Sequence, residues 1–458
     1  MYSHEIQRLL KRENIKIGDR VLVMKEDRRY SGLLMPKPKY GDDKTLVIKL
    51  DSGYNIGFDI KGAKLSKAHT HEPKDVAEEM KYELGRTKKS LLETHFDASK
   101  PKVALLSTGG TIISRVDYKT GGVYAVENPK ELVHNVPELA GIVNMEMSSP
   151  MNKMSEDLDS SDWMLLARHV AKELNSGKKG VIITHGTDTL HYTSAALSFF
   201  LKNLGKPVVL VGAQRSGDRG SSDAGMNLVC AAHVAVADIA EVGTCMHGSM
   251  DDRFCHFIRG TKVRKMHTTR RDAFQPINEL PLARVFPDGR LEMLNKNYRK
   301  RDDKKRVEVD AKINPNVAIL KVYPGSHPKV IDFHVRNGCK GFIIEATGMG
   351  HVPTEVSSRP WTSVIRKHSE HIPFVVTSQT IYGRVNPYVY TNLRKLFIEA
   401  KAIPGEDMTS ETAYVKLMWV LGKTKDMKKI REMMLTNYAG EITARTEAGA
   451  FSAEGLNE

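Results

Sequence analysis

Five short apolar runs, separated by helical patterns, constrain the fold of this chain most strongly. The runs are KVALLS, GVIITH, KPVVLVGA, FIIEAT and PFVVTS, at residues 102–107, 180–185, 206–213, 342–347 and 373–378. Helical patterns lie among them at Trp163–Asn175, Thr189–Leu204 and Asp223–Ala237. Strands that alternate with helices of this length form mainly parallel sheets with helices on both faces. The pattern therefore predicts an α/β fold.

A different pattern precedes these runs. Residues 20–25, 30–35, 45–50 and 54–60 are short β-like segments separated by turn-forming residues. They predict a small N-terminal β-barrel over residues 1–72, similar to SH3-like barrels. The segment 73–100 is rich in Lys and Glu and has no strong apolar stripe, so we expect an exposed connecting helix or linker.

The chain has 458 residues, which is too long for one ordinary domain. We expect a first α/β domain over 101–294, a basic interdomain linker over 295–313 and a second α/β domain over 314–435. Residues 436–458 are rich in Ala, Glu and Gly. This composition predicts a loosely held C-terminal tail.

The charge balance favours polyanionic partners. The formal net charge is +14, and residues 259–309 carry 15 basic and 7 acidic side chains. Such a segment is either a solvated surface or a track for a nucleic-acid backbone. Residues 295–306 contain one aromatic side chain, Tyr298, so no base-stacking platform is expected there.

Several protein classes are excluded. The sequence has no run of about 18 apolar residues, and its first residues are charged throughout, which does not fit a secretory signal. Its four cysteines form no CxxC pair and are too few for a disulfide framework, so we expect reduced thiols in a cytoplasmic protein.

Two of the predicted strands end in motifs that suit ligand binding. LLSTGGTI places Ser107, Thr108, Gly109, Gly110 and Thr111 at the end of the first strand, and THGTDTL does the same for Thr184–Leu190. Ligands of open α/β sheets bind at the carboxyl ends of strands. Each motif alone is also compatible with a plain turn or a helix cap. The two together indicate a site.

Lys265 is a further candidate. It lies between Val263 and Met266 in a cation-rich segment, and burial and neighbouring cations both lower the pKa of a lysine. A neutral lysine can act as the base for a hydroxyl nucleophile. On spacing alone it could equally be a solvated cation.

Other chemistries find little support. The GKT at 422–424 lacks the leading glycine of a P-loop, so the sequence contains no recognisable ATP motif. We interpret His247, His256 and His267 as core or surface residues and predict no metal site.

The paired motifs TGGTI and HGTDT resemble those of the L-asparaginase/glutaminase family of the bacterial two-domain type. The resemblance runs through MSEDLDSSDW, GAQR and Lys265 and covers about residues 101–435. The additional N-terminal unit and the stretch VRKMHTTRRDAF are more similar to one branch of that family, the glutaminase subunits of archaeal glutamyl-tRNA(Gln) amidotransferases.

The resemblance implies the site residues. Thr111 would be the attacking hydroxyl or lie beside the attacked carbon, and Thr187 would be the second threonine. Asp188 would lie beside Lys265, the residue that activates the hydroxyl or water. Which threonine forms the acyl-enzyme stays open, and so does which loop tyrosine is functional, Tyr118 or Tyr124. The residues implied to hold the substrate are Ser155, Asp188, Gly110 and Gly186.

The resemblance also implies the activity. This chain would hydrolyse glutamine, and a partner subunit would use the ammonia with ATP and Mg²⁺ to convert Glu-tRNA(Gln) into Gln-tRNA(Gln). No cofactor is expected in this chain. A homodimer within a heterotetramer is expected. Two alternatives remain: a free-standing cytoplasmic L-asparaginase, and a nucleic-acid-binding protein on an inactive amidase scaffold.

Overall fold

The computed structural model of the protein describes most of the chain. The described residues are 2–25, 28–36, 44–50, 55–68, 97–110, 114–116, 123–125, 136–215, 221–446 and 448–451. The predicted connecting helix at 73–100 falls almost entirely outside them.

The N-terminal unit is a five-stranded antiparallel sheet with one helix. Helix α1 spans His4–Arg12, and the strand order is β4-β3-β2-β1-β5. Alternate residues of these strands, such as Val21, Val23 and Ile48, are buried against α1. The four predicted strands are present, and the fifth follows them. The strands are β1 Arg20–Lys25, β2 Arg28–Leu34, β3 Thr45–Leu50, β4 Asn55–Asp59 and β5 Lys64–Lys67.

An eight-stranded sheet forms the centre of the molecule, in the order β18-β17-β14-β13-β12-β10-β6-β9. The strands from β9 to β13 are parallel, and β14, β17 and β18 are antiparallel additions at one side. The strands of this region are β6 Lys102–Ser107, β7 Ser114–Val116, β8 Val123–Ala125, β9 Asn144–Ser148, β10 Gly180–Thr184, β11 Leu201–Lys202, β12 Val208–Val211, β13 Val242–His247, β14 Cys255–Arg259, β15 Val263–Lys265, β16 Phe274–Pro276, β17 Ala283–Val285 and β18 Leu291–Met293.

Helices cover this sheet and match the predicted helices closely. They are α2 Leu139–Ile142, α3 Ser160–Asn175, α4 Leu190–Phe200 and α5 Ala224–Val236, with a 3₁₀ turn at Ser155–Asp157. The helix predicted over Thr189–Leu204 ends four residues early. Leu201 adopts an extended conformation there, because it pairs with Val309 in a two-stranded ladder.

A second, four-stranded parallel sheet follows, in the order β20-β21-β22-β23. Its buried strands agree with the predicted second α/β unit. The remaining strands are β19 Glu308–Val309, β20 Val317–Lys321, β21 Gly341–Ala346, β22 Phe374–Ser378 and β23 Ile403–Pro404. The helices are α6 Lys329–Arg336, α7 Trp361–His368, α8 Thr391–Arg394 with a π-helical turn at Lys395–Glu399, α9 Ser410–Leu421 and α10 Met427–Leu435.

The two α/β units share one hydrophobic core. Helix α9 packs against α4, and Trp419 of α9 stacks on Phe199 of α4. A salt bridge joins the same two units, because Lys262 Nζ lies 2.7 Å from Asp407 Oδ2 with both side chains fully buried. This packing fixes the segment around residue 262 and, with it, strand β15.

The first part of the predicted tail is firmly packed, so the expectation of a loosely held segment is wrong for residues 437–446. Glu441 is fully buried and pairs with Lys416 at 2.6 Å, and Thr443 donates its backbone N–H to Asp407. The composition misled because a buried ion pair and the hydrogen bonds around it outweigh a weakly apolar sequence.

The cysteines agree with the prediction, since Cys230, Cys245, Cys255 and Cys339 are all buried free thiols. His247 and His256 are also buried, as expected of core residues. Within the described ranges, no helix combines the length and apolar character that a bilayer crossing requires.

Candidate active site

The two predicted motifs emerge side by side. Strands β6 and β10 are parallel neighbours that pair Ser107 with Thr184. Immediately after the pair, the backbone N–H and the hydroxyl of Thr108 both donate to the carbonyl of Thr184, at 3.0 and 2.9 Å. The loops TGGTI and HGTDT therefore leave the same sheet edge together, as the sequence predicted.

Glycines allow the loops to pack backbone against backbone. Gly110 has a φ of 87°, and a β-carbon there would overlap the backbone nitrogen of Gly186. A β-carbon on Gly186 would in turn lie 2.8 Å from the β-carbon of Ser155. Any side chain at either glycine would separate the three segments. The structure thus brings Gly110, Gly186 and Ser155 into one cluster.

Thr187, Asp188 and Lys265 form the reactive group of the site. The ammonium of Lys265 donates to Thr187 Oγ1 at 2.9 Å and to Asp188 Oδ1 at 2.6 Å. Thr187 is 7% exposed, the Lys265 side chain 11% and the Asp188 side chain 67%. A nearly buried hydroxyl and amine therefore meet a carboxylate that opens to solvent.

The surroundings of Lys265 differ from those that the sequence suggested. Its cationic neighbours are paired with carboxylates of their own: Arg264 lies 3.1 Å from Glu411, and Arg271 lies 2.8 Å from Asp252. The charged group in contact with Lys265 is Asp188. The expected crowd of cations is therefore compensated, because acidic residues distant in sequence fold against it.

Ser155 lies beneath the HGTDT loop. It begins the 3₁₀ turn Ser155–Asp157, is 3% exposed, and its carbonyl accepts a hydrogen bond from Thr189 Oγ1 at 2.6 Å. Thr189 is the residue that precedes helix α4. This bond ties the segment MSEDLDSSDW to the second threonine motif.

His185 supports the same loop, although the sequence patterns did not single it out. Its ring Nδ1 lies 2.6 Å from the carbonyl of Gly186, and its Nε2 lies 2.8 Å from Thr193 Oγ1. Burial lowers the pKa of His185 to about 4, so the ring is neutral at pH 7. A neutral ring that donates from Nδ1 must accept at Nε2, which fixes its tautomer. The available signal was its position between the strand and the first glycine of HGTDT.

Gly212, at the end of β12, completes the wall of the site. A β-carbon there would lie 2.9 Å from the methyl carbon of Thr187. The following residues, Gln214 and Arg215, donate their backbone N–H groups to the carboxylate of Asp223, each at 3.0 Å. Three neighbouring strand ends therefore surround Thr187.

Several predicted residues cannot be located in this way. Thr111 and Tyr118 lie outside the described residues, as does the side chain of Tyr124. The convergence of both threonine hydroxyls on Lys265 is thus seen for Thr187 and stays a prediction for Thr111. Among the described residues, no group of three or more His, Cys, Asp or Glu side chains is arranged to hold a metal ion.

Three family models match the chain. Residues 102–299 match "Asparaginase, N-terminal", residues 316–434 match "Glutaminase/Asparaginase C-terminal domain", and residues 15–67 match "GatD N-terminal domain". The asparaginase-like α/β fold is therefore confirmed.

Solved structures of asparaginases resemble the α/β part. The thermostable L-asparaginase of Thermococcus kodakarensis is 33% identical, with a TM-score of 0.66 over 75% of this chain and 99% of its own. The probable cytoplasmic L-asparaginase of Campylobacter jejuni is 28% identical, with a TM-score of 0.59 over 74% of this chain and all of its own. About a quarter of this chain thus has no counterpart in them.

Other relatives match from end to end, and all are GatD proteins of glutamyl-tRNA(Gln) amidotransferases. The protein from Pyrococcus abyssi is 49% identical over 97% of this chain and 99% of its own. Those from Pyrococcus furiosus, at 48%, and Methanothermobacter thermautotrophicus, at 43%, cover the same share of their lengths. A free-standing asparaginase does not account for the N-terminal unit, whereas these relatives include it. The chain belongs to the GatD family of glutamyl-tRNA(Gln) amidotransferase subunits.

Proposed function

We propose that this chain is the glutaminase subunit of a tRNA-dependent amidotransferase. It hydrolyses glutamine to glutamate and ammonia, and a partner subunit uses that ammonia with ATP and Mg²⁺ to convert Glu-tRNA(Gln) into Gln-tRNA(Gln). End-to-end similarity to GatD proteins supports the assignment. The observation that carries it is the contact of Lys265 with Thr187 and Asp188.

The chemistry needs a hydroxyl nucleophile and a group that takes its proton. Lys265 Nζ lies 2.9 Å from Thr187 Oγ1, which is within the range for proton transfer. In its neutral form, Lys265 accepts the hydroxyl proton. Asp188, at 2.6 Å on the other side, holds the amine in place and stabilises the ammonium that results.

The reaction proceeds through an ester of one threonine. A hydroxyl oxygen, of Thr111 or Thr187, attacks the side-chain amide carbon of glutamine, and the C–N bond breaks as the nitrogen takes up a proton and leaves as ammonia. Water then cleaves the ester to glutamate and restores the hydroxyl. Peptide mapping of the trapped acyl-enzyme distinguishes Thr111 from Thr187.

The strand-end loops supply the remaining contacts. The backbone N–H groups of Thr187 and Asp188 have no acceptor among the described residues, and they lie just before helix α4, where a negative charge is favoured. They can receive the oxyanion of the tetrahedral intermediate. Asp188, which is mostly exposed, and Ser155, with the glycine cradle of Gly110 and Gly186, would hold the amino-acid part of glutamine.

The N-terminal unit would contact the partner subunit or the tRNA. Its antiparallel ladder and the hydrogen bond from Lys25 Nζ of β1 to the carbonyl of Asp59 at the end of β4 support a small SH3-like barrel. The chain would act as a homodimer within a heterotetramer, in the cytoplasm. Its own reaction requires no cofactor, and ATP and Mg²⁺ belong to the partner.

The experiment compares two threonines in one short segment. Thr187→Ala should lower ammonia release from glutamine by at least about 100-fold, because it removes the hydroxyl that Lys265 contacts. Thr184→Val is the matched control: the Thr184 hydroxyl is buried and has no hydrogen-bond partner in the described part of the chain. By the same reasoning, it should leave kcat/KM within about twofold. Equal activities of the two variants would contradict the proposal.

Substrate choice and coupling separate this function from that of a free-standing asparaginase. Ammonia release is measured with glutamine and with asparagine, by the chain alone and with tRNA and the co-purified partner subunit. We expect glutamine hydrolysis that rises when partner and tRNA are present. Rapid asparagine turnover by the isolated chain, indifferent to both additions, would overturn the assignment.

A further inference from the structure

The basic segment 295–306 crosses the outside of the first α/β unit as an extended strap. It has the sequence NKNYRKRDDKKR and follows strand β18. Two backbone hydrogen bonds attach it to the body: Ala240 N–H donates to Arg299 O at 2.7 Å, and Asp302 N–H donates to Gly205 O at 2.8 Å. The basic strap is therefore held along its length rather than hanging free.

Two of its arginines turn inward and anchor it. Arg299 pairs with the nearly buried Glu241, with Nη2 2.6 Å from Oε2. The Arg301 guanidinium donates to the carbonyls of Ala237, Ala235 and Lys179, at 2.6 to 3.1 Å. These cations serve the fold, so they are not available to a partner.

The other cations of the strap face solvent. Each of them is exposed, and none has an ion-pair partner within the described part of the chain. They are Lys296, Lys300, Lys304, Lys305 and Arg306. The strap's own carboxylates are occupied: Asp303 pairs with Lys179 and Arg301, and Asp302 Oδ1 accepts the backbone N–H of Lys304. Five cations are thus displayed on a fixed backbone.

The strap lies at the edge of the sheet that is opposite to the active site. Gly205 and Glu241 lie just before strands β12 and β13, while Thr187 follows the carboxyl end of β10. A five-residue strand spans roughly 17 Å. This distance exceeds the Debye length of about 8 Å at physiological salt, so charge changes on the strap should not reach the catalytic group.

We propose that the basic strap binds the phosphodiester backbone of RNA, and that in the amidotransferase this RNA is the tRNA substrate. The identity of the RNA rests on the proposed function, while the polyanion-binding surface rests on the strap alone. Five outward cations on an extended segment over residues 295–306 can reach several consecutive phosphates.

The composition of the strap favours RNA over a protein partner. Cores of protein interfaces are enriched in aromatic residues and depleted in lysine, whereas this surface is lysine-rich. Its one aromatic residue, Tyr298, packs against the hydrophobic core and is not available for stacking on a base. The binding should therefore be electrostatic and independent of base sequence.

The test removes five charges at once. In the full-length protein, Lys296, Lys300, Lys304, Lys305 and Arg306 are changed to Gln, and the Kd for a tRNA transcript is measured over a series of salt concentrations. We expect at least about a tenfold loss of affinity, and a slope of log Kd against log salt that falls by roughly 3 to 5, since each phosphate contact contributes about 0.9. Ammonia release from glutamine should be unchanged.

A control of matched composition removes the same charge elsewhere. Lys321, Lys329, Arg336, Lys340 and Lys425 are exposed cations of the second α/β unit. Changing these five to Gln should alter the Kd by less than about threefold, because the binding surface stays intact. If both fivefold variants bind tRNA equally, the proposal is wrong.

The remaining outcomes separate two failures. If the strap variant keeps its tRNA affinity but no longer co-purifies with the partner subunit, the surface binds a protein and the RNA proposal is overturned. If instead the unaltered protein releases no ammonia from glutamine, yet the strap variant loses tRNA affinity, the proposed glutaminase function fails and the strap proposal stands.

Discussion

Two lysine–aspartate pairs lie three residues apart on one segment, and they differ in almost everything except distance. Lys262 pairs with Asp407 at 2.7 Å with both side chains fully buried. Lys265 pairs with Asp188 at 2.6 Å, but the carboxylate of Asp188 is 67% exposed. The first pair joins the two α/β units, and the second contacts Thr187 at the strand ends.

Burial, not pairing distance, separates the structural ion pair from the reactive one. Burial lowers the pKa of Lys262, and the Asp407 carboxylate counteracts this effect. That pair is further enclosed by Thr443, whose backbone N–H and hydroxyl both donate to Asp407. Nothing from solvent can reach it. The Lys265 pair leaves one side open, where a substrate ammonium can approach Asp188.

The largest expected effect is on catalysis. Lys265→Met removes the amine that contacts Thr187 and should lower kcat for glutamine by about 10²–10⁴-fold, the usual contribution of a general base. Stability should change little, because ion pairs with an exposed partner contribute less than about 1 kcal/mol. Steady-state kinetics and urea unfolding measure the two. Retention of more than about a tenth of the activity would contradict the assigned role.

The buried pair should respond in the opposite way. Lys262→Met leaves Asp407 buried without its cation and should lower the free energy of unfolding by about 3–5 kcal/mol. The double variant Lys262→Met/Asp407→Leu removes both charges and should recover part of that loss. Urea unfolding of both variants measures the effect. A double variant that is less stable than the single one would show that the pair itself stabilises the fold.

Acid pH extends the comparison to single buried groups. Burial lowers the pKa of His185 and of His256 to about 4 from 6.5. Their unfolded forms therefore bind protons first as pH falls, so the stability that each contributes is complete above about pH 6.5 and is lost toward about pH 4. Between about pH 7 and pH 5, each should contribute about 2 kcal/mol to the loss.

His256 offers a clean variant, because neither of its ring nitrogens has a hydrogen-bond partner among the described residues. His256→Leu should remove about 2 kcal/mol of the difference in unfolding free energy between about pH 7 and pH 5. His371→Leu, at an exposed position, should leave that difference unchanged. An equal pH dependence in the two variants would argue against the assignment.

The smallest expected effect is on substrate affinity. Asp188→Asn keeps the shape of the side chain but removes the charge that would hold the ammonium of glutamine. KM should rise about tenfold, corresponding to about 1.4 kcal/mol. The free energy of unfolding should stay within about 0.5 kcal/mol, because Asp188 is mostly exposed. An unchanged KM would assign the ammonium contact to another residue.

The sequence predicted the fold closely where local pattern and burial agree. The run KVALLS is strand β6 residue for residue, since every side chain from Val103 to Ser107 is buried. It failed where a long-range contact decided the outcome. Leu201 leaves its helix to pair with Val309, and Glu441 anchors a segment that looked loose. Neither partner lies within reach of a local pattern.

The site shows the same division. The two threonine motifs and Lys265 were recognisable from their residues, because a polar loop after a buried strand is an unusual pattern. The surroundings of Lys265 were not, since Asp188 lies 77 residues away along the chain and Glu411 reaches Arg264 from the other α/β unit. His185 was missed because a histidine after a strand has no distinctive signal.

By itself, the sequence determined which segments become buried strands, and therefore which polar loops must follow them at one edge of a sheet. Periodicity and strand-end position are properties of neighbouring residues. Only the tertiary structure decided which lysine would be enclosed with Asp407 and which would face Thr187 and the solvent. The two lysines are three residues apart and chemically identical, and their difference comes from what the rest of the chain packs around them.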